Sequence, residues 1–454
     1  MAIDLSAPEI QAAIALVDTQ LERELRERRI PGISAGIVYD QALIWTHGYG
    51  YANLDKQIGA DERTVYRVAS ITKLFTSTMM MILRDEGKLN LDDPIEKYLP
   101  DFKIRSGFPD AKPPTFRQVA SHAAGLPREG DQEGWWDCDM PSSEELLASL
   151  ATSEMYLPTM TEPKYSNLGI ALMGYALSKI AGQPYDQFVQ ERILQPLGMI
   201  DSGFERDKYG DDHYATAYWR ESDQLQLSPH WQEHGFRPAG GMYSTVSDIA
   251  RFISLQFSEE PSGGSQILGG STLREMHMPV NVANDFNSGF GIAFGIRRVA
   301  NLKTIGHSGG LPGYTTNISL VPSLKLAMIV FTNTGTDPVT ISTKALETLI
   351  PAFQHQAAPA PASSEQIAQW KPYMGRYAWM DDVIEIRMYH GQLTAMNPEE
   401  DSSTYIRLTP HSQHNFTMSG GSSNRELMRF VVDADGKITA MWLGGYPFVR
   451  KDED

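Results

Sequence analysis

The sequence predicts an α+β fold, an α/β sandwich in which an antiparallel sheet is flanked by helices and interrupted by an inserted helical region, followed by a small C-terminal antiparallel β-barrel. Three observations predict it. Strand-like runs stand at both ends of the first 350 residues, helical periodicity fills the middle, and two-residue alternation returns after an Ala/Pro-rich stretch.

Taken in order, residues 8 to 29 place Ile10, Ile14, Val17, Leu21 and Leu25 at helical spacing, which predicts an amphipathic helix lying on a sheet. Residues 33 to 39 and 43 to 49 read as strands joined by a short turn at Asp40-Gln41. The run Leu74 to Leu83 is apolar nearly all the way round, as a helix buried on every side should be, and Gly87 supplies its stop. Further helices are expected at 143 to 152, 168 to 182, 185 to 193 and 246 to 257. Strands return near 289 to 298, 302 to 307, 314 to 321 and 325 to 332, and a helix from 338 to 350 closes the unit. Early and late strands then join one sheet built from both ends, with a cleft between it and the inserted helices.

Residues 351 to 364, with Ala357-Ala358-Pro359-Ala360-Pro361-Ala362, read as a semi-rigid linker. Beyond it, Ile384-Glu385-Ile386-Arg387-Met388 alternates strictly, and similar alternation recurs at 404 to 408, 414 to 418, 427 to 432 and 438 to 443. Turns at His390-Gly391 and Asp435-Gly436 separate these runs, which predicts a small barrel or sandwich over 365 to 454. The expected organisation is 1 to 350, a linker at 351 to 364, and 365 to 454.

Composition narrows the function. A chain of 454 residues with 41% hydrophobic content is globular and exceeds one ordinary domain. Its formal charge of -17 speaks against nucleic acid and anionic membrane surfaces as partners. No apolar run nears the roughly 20 residues that span a bilayer, and Met1 to Gln20 shows no secretory signal, so a cytoplasmic location is the expectation. The lone Cys138 cannot form an internal disulfide and reads as a packed thiol. His230-Trp231-Gln232-Glu233-His234 matches an H-x-x-E-H zinc pattern, yet Pro229 and Gly235 leave it about one turn of helix and no third ligand is evident. No metal and no cofactor are expected.

The chemistry concentrates at Ser70-Ile71-Thr72-Lys73. On a helix, residues three apart share a face, so the Lys73 nitrogen can reach the Ser70 hydroxyl and act as its base if it is desolvated. The pattern by itself occurs by chance roughly once or twice in a chain this long, and an N-cap serine with a solvated lysine fits the same four residues. It is, however, the only S-x-x-K here, and it opens the apolar helix. Downstream, Tyr165-Ser166-Asn167 enters another helix, and in an extended entry Tyr165 and Asn167 point the same way. A phenol beside two cations would have a lowered pKa and could relay protons, whereas a helix-cap Asn and a half-buried Tyr suit these residues equally. Tyr51-Ala52-Asn53 repeats the spacing but precedes the serine, at the end of a strand. Finally, His307-Ser308-Gly309-Gly310 sits between strand-like runs, where a cationic or donor side chain and two glycines let a substrate backbone lie along the edge. The Gly310 and Ser70 N–H groups could then form an oxyanion hole.

Together and in this order, the three patterns resemble the serine β-lactamase and penicillin-binding-protein superfamily, in its class C-like branch, which also holds D-aminopeptidases, DD-carboxypeptidases and family VIII esterases. Its motifs match Ser70 and Lys73, then Tyr165 and Asn167, then His307, Ser308 and Gly309. Gly50-Tyr51-Ala52-Asn53-Leu54, Val119 to Pro127, Pro196-Leu197-Gly198-Met199 and Ala239 to Thr245 also look like the family. The resemblance implies a β-lactamase/transpeptidase-like sheet and an acyl-enzyme on Ser70, with Lys73 and Tyr165 catalytic and Asn167, His307, Ser308, Gly309 and Gly310 binding substrate. His at the third motif, where class C β-lactamases usually carry Lys and many esterases Trp, tilts the expectation to a peptidase acting on small molecules or short peptides with D-residues. A carboxylesterase, a β-lactamase, an acyltransferase and a binding protein that has lost catalysis remain as alternatives. The C-terminal part resembles lipocalin-like accessory domains of the family, a cap, an oligomer contact or a stability module. Trp135 and Trp136 are candidates for a leaving-group wall.

Overall fold

The computed structural model describes residues 3–130, 138–210, 212–222, 224–263, 265–358, 360–399, 405–420 and 423–451. They form two compact units, Ala2–Ala357 and Ala358–Asp454, the latter grouped with Met1.

The first unit is built on a nine-stranded antiparallel sheet. Its strands in chain order are β1 (Gly32–Tyr39), β2 (Ala42–Asn53), β3 (Ile58–Gly59), β4 (Asn281–Val282), β5 (Gly289–Phe290), β6 (Gly295–Val299), β7 (Leu302–Leu311), β8 (Tyr314–Val321) and β9 (Leu326–Thr332). The spatial order is β3-β2-β1-β9-β8-β7-β6-β5-β4. The N-terminal strand thus pairs with the last one, Ala35 opposite Val330, and the sheet is assembled from both ends of the unit as the sequence predicts.

Helices cover both faces. On one lie α1 (Pro8–Glu27) and the closing helix α5 (Pro338–Ala357), where Ile10, Val17 and Leu21 meet Ile33, Ile37, Leu346 and Phe353. On the other lie α2 (Thr72–Asp85), α3 (Asn167–Ala181) and α4 (Val246–Gln256), around a larger core with Phe75, Leu172 and Phe252. β1 is therefore apolar on both faces and shows little polar alternation, the pattern of a strand covered on two sides.

Among the boundaries that differ from the expectation, two matter most. The run 289 to 298 is not one strand: it breaks into β5 and β6, and β6 pairs with β7 only from Gly295↔Gly306 to Val299↔Leu302. β7 runs on alone past that end, to Leu311, so residues 307 to 311 have a free edge on this side. The closing helix also does not stop at 350. It continues through Pro351 to Ala357, because Phe353 still packs in the core beneath it, and the stretch read as linker begins as helix.

The second unit is a closed antiparallel barrel of eight strands, β10 (Gly375–Trp379), β11 (Asp382–Tyr389), β12 (Gln392–Met396), β13 (Ile406–Ser412), β14 (Asn415–Ser419), β15 (Leu427–Val432), β16 (Ile438–Leu443) and β17 (Tyr446–Lys451). Tyr377, Leu393, Phe416, Met418, Met428, Phe430 and Met441 fill its interior. His390 and Gly391, and Gly436 in the Asp435-Gly436 turn, adopt the left-handed conformations that tight hairpins need.

Candidate active site

Ser70 lies on a single 3-10 turn, Ala69–Ile71, that leads into α2. The turn is held from several directions. Tyr66–Arg67 pairs with Tyr243–Ser244, and Val68 N–H donates to the Met242 carbonyl at 3.0 Å. The Thr316 hydroxyl of β8 donates to the Val68 carbonyl at 3.0 Å, and Thr72 Oγ1 donates to the Ala69 carbonyl at 2.6 Å. Gly309 of β7 lies so close that a Cβ there would overlap the Val68 carbonyl and the Thr316 hydroxyl. These bonds hold Ala69, immediately before the serine, at φ 49°, a left-handed conformation that costs an alanine about 1 kcal/mol or more.

Every residue of α2 from Thr72 to Leu83 is buried, Lys73 included. Its Nζ lies 2.9 Å from Ser70 Oγ and donates to the Ala239 carbonyl at 2.6 Å. Burial disfavours the ammonium, and Arg128 adds to that, while the Glu129 carboxylate opposes it; the pKa falls to about 7. A surface first-turn lysine, the alternative for this motif, is not what the fold builds.

Tyr165 and Asn167 bracket the entry to α3. The cap is Ser166, extended at φ -135°, whose hydroxyl accepts from the Gly169 N–H at 2.9 Å. With Ser166 as cap, Asn167 is free for other work, and its Nδ2 donates to Glu129 Oε1 at 2.6 Å. The Ser70 side chain acts on the Tyr165 hydroxyl, and the Tyr165 ring has Lys73 Nζ 5.1 Å and the Arg128 guanidinium 5.0 Å from its centroid. The two cations do not lower this phenol. Desolvation outweighs Ser70 and Arg128, and Tyr165 titrates above its ordinary range, which corrects the expectation of an acidified tyrosine.

His307 and Gly309 of β7 are buried while Ser308 and Gly310 are exposed, the alternation of a strand at a cleft edge. His307 Nδ1 is 2.6 Å from the Ser308 carbonyl oxygen, so Nδ1 carries the proton and Nε2 is an acceptor. Burial, reinforced by Lys73, lowers its pKa to about 3. The side chain is neutral, not the cation the sequence allowed. Ser70, Asn167 and Gly310 line one cleft, whose other walls include Met140, Trp231, Glu233, Phe236 and Leu311. A neighbouring groove is lined by Tyr165, by His307 and Ser308 of β7, by Asn317 to Ser319 of β8 and by Arg297, whose Nη2 donates to Ser319 Oγ at 2.8 Å. All eight expected residues thus gather here: Ser70, Lys73, Tyr165, Asn167, His307, Ser308, Gly309 and Gly310.

Four contributors escaped the motifs. His122, at φ 56°, accepts the Ser166 N–H at 3.3 Å on Nδ1 and stacks on Tyr165 with centroids 4.2 Å apart. Arg128 and Glu129 directly follow the family-like phrase ending at Pro127, and Arg297 sits on β6. His122 lies inside that phrase, and for the other three the only sequence signal is polarity near glycine-containing turns. The H-x-x-E-H segment forms no zinc-type helix: Trp231 and Glu233 face the Ser70 cleft, Glu233 pairs with Arg67, and His234 lies 2.7 Å from Asp139. Among the described residues no group of three His, Cys, Asp or Glu is placed to hold a metal. In Tyr51-Ala52-Asn53, the Asn53 amide binds the Thr216 hydroxyl at 2.9 Å and Tyr51 is exposed. Trp135 and Trp136 lie outside the described residues.

Sheet, serine turn and buried lysine define the class of protein, and residues 17–349 match the Beta-lactamase family model. The chain belongs to the beta-lactamase family. It is 33% identical over 362 residues to Beta-lactamase-like protein 2 of Dictyostelium discoideum, covering 78% of this chain and 65% of that protein, so it spans just under two thirds of that relative. Among solved structures it resembles the octameric penicillin-binding protein homologue from Pyrococcus abyssi, with a TM-score of 0.66, 23% identity, and 96% and 100% of the two chains covered. It also resembles the D-amino acid amidase from Ochrobactrum anthropi SV3 complexed with D-phenylalanine, with a TM-score of 0.63, 21% identity, and 76% and 99% covered. At these identities the likeness is one of fold.

Proposed function

We propose that this protein is a serine hydrolase working through an acyl-enzyme on Ser70, and that it is a peptidase for small amides or short peptides carrying D-residues. The observation that carries the hydrolase reading is the Lys73 nitrogen, buried, neutralised near pH 7 and 2.9 Å from the Ser70 oxygen. The amine takes the Ser70 proton as Oγ bonds to the substrate carbonyl carbon. The Ser70 and Gly310 N–H groups receive the developing oxyanion. Tyr165, still a phenol, donates its proton to the leaving atom as the C–N or C–O bond breaks, and the Lys73 ammonium restores it. Water then repeats the sequence on the acyl-enzyme. His307 and Ser308 align the substrate along the free edge of β7.

Arg297 favours the peptidase over the esterase. It forms no ion pair among the described residues, and it lines the same groove as Tyr165. A fixed positive charge there suits a leaving group that ends in a carboxylate. The fold shared with a D-amino acid amidase agrees with amide chemistry. Homo-oligomerisation is part of the same reading, in keeping with the octameric homologue.

Intact-mass measurement after exposure to a fluorophosphonate tests the nucleophile: an adduct on the wild type and none on Ser70→Ala is the expected outcome. D-residue dipeptides with free and with amidated C-termini, assayed beside p-nitrophenyl esters and nitrocefin, test the substrate class. Faster turnover of the free acid supports the peptidase; esterolysis without peptide cleavage ends it.

A further inference from the structure

We propose that Glu129 is a positioning residue for the serine–lysine pair: its carboxylate holds the Asn167 amide and stabilises the Lys73 ammonium that forms as Ser70 loses its proton. The proposal rests on Ser70 and Lys73 being nucleophile and base.

The geometry is specific to this site. Glu129 Oε1 accepts from Asn167 Nδ2 at 2.6 Å and lies 3.3 Å from Arg128 Nε. Its Oε2 is closed off from solvent and has no hydrogen-bond partner among the described residues. A buried carboxylate oxygen without a donor is costly unless a nearby charge compensates it. The nearest positive charge is Arg128, 3.3 Å from Oε1, and Lys73 acts on the carboxylate after it. Burial raises the Glu129 carboxyl above its ordinary range, with the Asn167 amide, Arg128 and then Lys73 opposing it, while against the burial of Lys73 the Glu129 carboxylate favours the ammonium.

The other groups around Lys73 cannot take this part. From β7, His307 is neutral; from the loop that carries Arg128 and Glu129, His122 is neutral; and from the entry to α3, Tyr165 stays a phenol. The Ala239 carbonyl contributes a dipole only. Arg128 carries a positive charge and works against the ammonium. Glu129 therefore sets how readily Lys73 holds a proton while the acyl-enzyme forms, and through Asn167 it ties that setting to a residue that lines the substrate cleft.

The sign follows. Labelling of Ser70 requires the neutral amine, so its rate rises with pH through the Lys73 titration. Removing the negative charge makes the ammonium less favourable and moves that rise to lower pH. The experiment measures the rate of fluorophosphonate labelling of the full chain from pH 5 to 9 in the wild type and in Glu129→Gln, whose amide oxygen can still accept from Asn167. The expected result is a downward displacement of the limb by roughly one pH unit, the scale on which a neighbouring opposite charge moves a titration. Glu129→Asp, which moves the charge outward by one methylene, shifts it the same way by less, and thermal melts identify the variants that fold. A limb that stays in place or moves upward in whichever variant folds overturns the proposal, since a purely structural role would lower the rate without moving the limb. A wild type that does not label at all, or a Lys73→Ala variant that keeps the limb, overturns instead the serine–lysine reading.

Discussion

Lys73 and Tyr165 illustrate how a single quantity, desolvation, moves two neighbouring side chains in directions that suit opposite duties in the proposed reaction. Burial brings the lysine's titration down to about 7 and holds the proton on the tyrosine, so that the first suits the proposed base and the second the proposed acid. The expected consequence is that kcat/KM for a p-nitrophenyl ester rises with pH through about 7, as the Lys73 ammonium deprotonates. Lys73→Arg, which holds a permanent charge, should lower that constant by about 10²- to 10⁴-fold and remove the limb, as initial rates between pH 5 and 9 would record. A rate independent of pH across this range would remove Lys73 from the role of base. Much of the site was legible at this scale, since Ser70 with Lys73 and Tyr165 with Asn167 are set by local helix and strand geometry. The charges around them were not. Glu129, Arg128 and His122 come from one loop, Arg297 from a short strand, and no spacing rule predicts which loop charges a fold will bury together.

At the scale of elements, the site exists because β7 and the serine turn approach within van der Waals contact. Gly309 permits this, and Thr316 on the adjoining strand fastens the turn through the Val68 carbonyl. Gly309→Ala should push β7 from Ala69, lower the rate of Ser70 labelling at least tenfold, and cost about 1–3 kcal/mol in a urea unfolding curve. Retention of both would show that the strand can yield without loss. The helices and strands themselves were largely legible, because amphipathic and alternating patterns are properties of consecutive residues. Their interruptions were not: the break between β5 and β6 leaves residues 307 to 311 an edge unpaired on that side, which only the sheet's register reveals. The helix that runs through Pro351 makes the same point, since packing of Phe353 outweighs a residue that disfavours helix interiors.

The whole chain divides into two units with separate cores, one on both sides of a nine-stranded sheet and one inside a closed barrel. A barrel has no free edge strands and its interior is filled by its own side chains, so residues 358 to 454 are expected to fold when produced alone. Circular dichroism with a single cooperative melt would bear this out; an unfolded fragment would mean that the barrel depends on the first unit. No helix among the described residues is long and apolar enough to cross a membrane.

By itself, the order of residues determined the two kinds of structure, the strands contributed from both ends of the first unit, and the serine, lysine, tyrosine and asparagine that gather in it, because each depends on periodicity or on neighbours a turn away. Tertiary structure alone decided their chemical states. Whether Lys73 is a base, His307 a neutral acceptor or Tyr165 an acid depends on how much water and which charges surround it, and those surroundings are supplied by residues remote in the chain.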